Sequence, residues 1–183
     1  MTTKKYAALL RGINVGGVRV PMAELRTVLT ELGHDSVATY LNSGNAVFEA
    51  AADAPVDDLA RALESAIEKH FGFTVPCLVR DHTYLRAVAE TCPFPAAELE
   101  GKQLHVTFYS TDPDPDRFDG LEKETYLPEE FRLGDKALYL YAPDGLGRSK
   151  LGEALTGPAL TKGLTATTRN WNTVAKMVQL TAP

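Results

Sequence analysis

The apolar positions of this chain change period several times, and each change predicts an element. Residues 6–10 are a short, almost unbroken apolar run, the pattern of a central strand buried on both faces. A glycine-rich segment follows. Met22, Leu25, Val28, Leu29 and Leu32 then recur at helical spacing, with Pro21 suited to the first turn and Gly33 to the stop. Residues 37–41 and 46–48 predict two strands joined by the turn Ser43-Gly44-Asn45. Val56, Leu59, Ala60, Leu63, Ile67 and Phe71 form a helix stripe that Gly72 ends. Residues 75–80 predict a strand that Pro76 confines to a sheet edge. The order is β-α-β-β-α-β, the split unit of a ferredoxin-like sandwich, whose fourth strand is an edge.

Asp81 is a good cap for a short helix reaching Glu90, and Cys92-Pro93-Phe94-Pro95 then breaks the chain. This break sets a boundary between subdomains at 1–92 and 93–183. The pattern restarts after it. Leu104, Val106 and Phe108 alternate with His105, Thr107 and Tyr109 as in a strand. Asp112-Pro113-Asp114-Pro115 opens a predicted helix to about Lys123, and residues 131–133 and 137–141 predict a hairpin around Gly134-Asp135. Ser149 caps a helix from Lys150. A last helix starts near Trp171, with Val174, Met177 and Val178 on its apolar side. The second half reads as β-α-β-β-α with its final element open. The predicted fold class is α+β: two ferredoxin-like halves, the second degenerate, with mixed or antiparallel sheets and packed helices.

A chain of 183 residues is long enough to bury a core without staples. It has no run approaching the roughly 20 apolar residues of a membrane span and no signal-peptide pattern at its start. Cys77 and Cys92 form no CxxC pair, so reduced thiols and a cytoplasmic location are expected. The net charge of −5 argues against nucleic-acid binding by the whole surface. That charge is uneven. Residues 1–35 carry +2 and residues 145–183 carry +4, which leaves −11 for the middle. The excess positive charge falls in the two segments that also hold clusters of Gly, Asn, Thr and Arg.

Four motifs in order carry a resemblance: LLRGINVGG, TYLNSGNAVF, YAPDGLGRSKL and ATTRNWNTVAKM. Together they resemble domain-of-unknown-function family 1697 over nearly the whole chain, from about Lys5 to about Leu180. The resemblance implies a compact fold of two ferredoxin-like halves. It implies no activity.

The same motifs hold the candidate chemistry. Arg11-Gly12-Ile13-Asn14-Val15-Gly16-Gly17 is neither a dinucleotide fingerprint nor a P-loop, yet glycines let backbone N–H groups approach an anion. A structural bulge with Asn14 bonding its own backbone is the alternative. Ser43 and Asn45, beside Tyr40, read either as a plain turn or as part of the same pocket. Arg148 and Lys150 flank a glycine turn at a helix start, and Arg169 and Asn172 lie in the polar run that opens the last helix. The expected function is binding of a phosphate- or carboxylate-bearing small molecule at a basic site between the halves. Arg11, Asn14, Gly16, Gly17, Tyr40, Ser43, Asn45, Arg148, Lys150, Arg169 and Asn172 would build it. The dispersed His34, His70, His82 and His105 form no ligand set, and the aspartates 112–119 lack a calcium loop's register, so no metal and no cofactor are expected. No nucleophile elbow occurs, and whether any reaction follows binding stays open. Two alternatives remain. One is an RNA-binding module using Tyr109, Tyr139 and Tyr141 on a sheet face; the other is an interaction or dimerisation module without catalysis. The expected state is a monomer or homodimer, with no membrane partner.

Overall fold

β1 (Thr3–Leu10) is followed by α1 (Met22–Glu31), β2 (Asp35–Tyr40), β3 (Asn45–Ala51), α2 (Val56–Phe71) and β4 (Cys77–Asp81) in the computed structural model, which describes residues 1–183. The four strands make one sheet in the order β2-β3-β1-β4, with every pairing antiparallel. This is the ferredoxin-like arrangement, and the strand that follows Pro76 is an edge. Tyr6, Ala8 and Leu10 alternate along β1 and pack in one core with Phe48, Val79, Leu25 and Leu29 of α1, and Leu63 and Ile67 of α2. Ala7 and Leu9, on the opposite face of β1, are buried as well. Burial on both faces explains why this strand reads as a continuous apolar run.

α3 (His82–Glu90) begins where expected, because Asp81 Oδ1 accepts the Tyr84 N–H at 2.9 Å. Then come β5 (Leu104–Tyr109), α4 (Lys123–Tyr126), β6 (Glu130–Gly134), β7 (Ala137–Tyr141), α5 (Lys150–Leu155), α6 (Pro158–Thr161), β8 (Ala166–Asn170) and α7 (Trp171–Thr181). The second sheet runs β6-β7-β5-β8, again antiparallel throughout, and repeats the order of the first. Its core gathers Tyr109, Phe118, Phe131, Leu138, Leu140, Leu151 and Leu155.

Two elements differ from the sequence reading. The helix expected from the Asp-Pro repeat is a single 3-10 turn at Pro115–Phe118, followed by the one-turn α4. Asp114 caps that turn by accepting the Asp116 N–H at 3.0 Å, and Gly120, poorly suited to a helix interior, follows it. The element left open is the strand β8. It completes β-α-β-β-α-β in the second half.

The chain divides into two units, residues 1–85 with 177–183, and residues 86–176. The division falls inside α3 and inside α7, rather than at the proline-rich break near Cys92. No helix is long and apolar enough to cross a membrane.

Candidate functional site

β1 ends at Leu10, and the chain does not enter α1 until Met22. The intervening loop is held in shape by Asn14. Its Nδ2 donates to Val20 O at 3.1 Å and to Asn42 O at 2.6 Å, while its Oδ1 accepts the Val20 N–H at 3.0 Å. One amide side chain thus closes the loop on itself and ties it to the β2–β3 turn. The Asn14 backbone N–H donates to Val18 O at 2.5 Å, which folds residues 15–18 into a small projecting turn. Gly16 and Gly17 occupy that turn at φ +59° and +90°, a region L side chains rarely adopt, and a Cβ on either would meet nothing within 4 Å.

The hairpin beneath is fixed separately. Leu10 N–H donates to Gly44 O at 2.8 Å, and the Asn45 Nδ2 donates to Tyr40 O at 2.8 Å and Ser43 Oγ at 3.1 Å. A Cβ on Gly44 would stand 2.9 Å from both Ile13 Cδ1 and Leu10 Cβ, so only glycine lets the turn sit this close to the loop.

These contacts leave a cavity of about 370 Å3, formed by residues 14–21 with Asn42. Of the residues expected to build a site, Asn14, Gly16 and Gly17 line it. Tyr40, Ser43 and Asn45 shape the neighbouring hairpin without lining the cavity, and Asn45 is fully buried. Arg11 is exposed and its backbone N–H donates to Pro76 O at 2.9 Å. Among the lining residues outside the expected set are Arg19, the cavity's only charged side chain, and Asn42. The sequence signal for Arg19 was its place in the same glycine-rich loop. Asn42 carried none, because its role is a carbonyl contact to a residue 28 positions away. The cavity also takes in Val20 and Pro21, at the start of α1, and Pro21 provides no side-chain cap there. The first-turn N–H groups of α1 therefore have no side-chain acceptor at the N-cap.

The other four expected residues belong to the second unit. Arg148 and Lys150 are exposed around Ser149, whose Oγ caps α5 by accepting the Gly152 N–H at 2.7 Å. Arg169 is 7% exposed, and its Nη1 donates to Thr167 Oγ1 at 2.7 Å and Thr168 O at 3.0 Å. Burial lowers its pKa to about 10. Both of these acceptors lie in its own strand. Asn172 is exposed at the start of α7, and its amide fills the space a Cβ on Gly101 would need.

A family model described as a protein of unknown function (DUF1697) matches residues 3–139. Among solved structures, the chain is similar to the conserved bacterial protein SP0830 from Streptococcus pneumoniae, at 25% identity and a TM-score of 0.72. That likeness covers 99% of this chain and 100% of the other. No curated protein matches this chain.

Proposed function

The chain belongs to this family of proteins of unknown function, DUF1697, and from the site itself we propose that it binds a small phosphate- or carboxylate-bearing molecule in the cavity between β1 and α1. The observation that carries the reading is the composition of that cavity. Two exposed glycines, the uncapped start of α1 and the Arg19 side chain border one space of about 370 Å3. Backbone N–H groups in such a turn and at a helix start favour an anion, and a guanidinium adds full charge and a two-pronged contact. Asn14 supports the reading indirectly. Its side-chain hydrogen bonds to Val20 and Asn42 hold the loop open in this shape, so the binding geometry exists before a ligand arrives. No acid or histidine lines the cavity, so binding and positioning are the functions proposed for it, with no general base assigned.

The RNA-binding alternative lacks comparable support. Tyr109 is 1% and Tyr139 2% exposed, and the Tyr139 hydroxyl donates to Val88 O at 2.6 Å. Neither ring offers a face to a base.

The test is an amide-resolved NMR titration with inorganic phosphate, ribose 5-phosphate and citrate. Saturable shifts are expected at Gly16, Gly17 and Arg19. Arg19→Ala removes a charge-assisted hydrogen bond worth about 1.5–3 kcal/mol, so affinity should fall about tenfold or more while the melting temperature holds. Unchanged affinity in Arg19→Ala, or shifts confined to other segments, would sink the assignment.

A further inference from the structure

A second cavity, of about 320 Å3, lies wholly within the second unit and is not used by the reading above. Its floor is the sheet. Thr107 of β5 and Thr168 of β8 stand directly opposite one another, their Oγ1 atoms 2.8 Å apart, and Leu140 of β7 lines the same space. Leu155 of α5 forms part of its wall, and the exposed Leu146, Gly147 and Glu153 form its rim.

The chemistry of this lining is selective. One hydroxyl hydrogen satisfies the Thr107–Thr168 contact, which leaves one O–H donor and unused lone pairs facing a ligand. The three leucines supply C–H surface. Glu153 is the only charged residue of the lining, and its carboxylate accepts hydrogen bonds without donating. No cation lines the cavity, so an anion would meet a carboxylate with nothing to offset it.

We propose that this cavity binds a neutral, polyhydroxylated molecule of monosaccharide size. Its hydroxyls meet the threonine pair and Glu153, and its C–H face lies on the leucines. The volume sits at the lower end of the roughly 300–1,000 Å3 of small-molecule sites.

The test is an amide-resolved titration of the full chain with D-glucose, D-ribose and myo-inositol at millimolar concentrations, with inorganic phosphate as contrast. At least one of the three should shift Thr107, Thr168 and Gly147 saturably. The near-isosteric pair Thr107→Val and Thr168→Val should weaken that binding at least about tenfold, the equivalent of one lost hydrogen bond near the upper end of its usual worth. Gly147→Phe, on the exposed rim where a Cβ meets nothing within 4 Å, should block entry without disturbing the core, and it decides the matter if the double variant does not fold. No saturable shift from any of the three, unaltered affinity in the folded variants, or phosphate acting on these amides in place of the sugars overturns the proposal. The amides read here belong to the second unit and those of the anion cavity to the first, so each assignment fails separately.

Discussion

Asp81 holds two structures at once. Its Oδ2 accepts Lys4 Nζ at 2.8 Å, and its Oδ1 accepts the Tyr84 N–H that opens α3. Burial works to raise its pKa, but the Lys4 hydrogen bond and the Tyr84 N–H outweigh it and hold the carboxyl below its ordinary 3.8. A depressed folded pKa contributes stability in full above the unfolded value and loses it as the pH falls through the folded one. Denaturant unfolding followed from pH 7 down to about pH 2 should therefore show an acid-side loss that shrinks in Asp81→Asn. The same acid slope in both proteins would show that other carboxylates dominate. At this scale the sequence was partly legible. Asp81 could be read as a cap from its position before an apolar helix pattern, whereas its pairing with Lys4, 77 residues away, depends on the register of β1 against β4.

Among the elements, β8 is the instructive one. Its residues Thr167, Thr168, Arg169 and Asn170 look like a ligand-binding run because they are polar at every position. In the sheet they alternate: Thr167 and Arg169 are buried, Thr168 and Asn170 half-buried. Arg169 and Thr167 bond to one another across two residues, which lets a polar strand occupy a buried edge. A period of two in burial was thus present with no period of two in hydrophobicity, and pattern reading has no access to that. The strands and helices with apolar stripes, β1, α1 and α2 above all, were legible because their cores demand those stripes. Asn170 ends β8 and caps α7 by accepting the Thr173 N–H at 3.0 Å. Asn170→Ala should cost about 1 kcal/mol in urea unfolding, and Asn170→Asp, which keeps the acceptor, much less. Equal losses in both would mean that strand pairing, not capping, sets the value of this residue. The candidate anion site divides in the same way. Its glycines announce themselves in the sequence, but the cavity exists because Asn14 reaches Val20 and Asn42, and those contacts follow from the fold of the loop.

For the molecule as a whole, the unit that holds β1 to β4 is discontinuous, since residues 177–183 belong to it. Met177 and Thr181 are each 1% exposed. Lys5 Nζ donates to Ala182 O at 3.1 Å, and His82 Nδ1 lies 3.1 Å from Val178 O. Removing residues 177–183 takes away a buried methionine worth about 1.5–3 kcal/mol together with these contacts. The shortened chain should melt lower, and amide exchange should quicken in β1 and α3 before β5 to β7. Unchanged exchange in β1 would mean that the segment is not needed for the first unit's stability. The proline-rich break at Cys92-Pro93 is a local signal and says nothing of a return by the distant C-terminal helix. The sequence reading consequently placed the whole of 93–183 in the second half.

That return of the chain has a consequence for the order of assembly. A ribosome makes residues 86–176 in full before it reaches 177, so every residue of the second unit is available while the first still lacks its closing segment. The half encoded first is therefore the half completed last. Its sheet can pair early, but Lys5 of β1 waits for a residue synthesised 177 positions later and His82 of α3 for one 96 positions later.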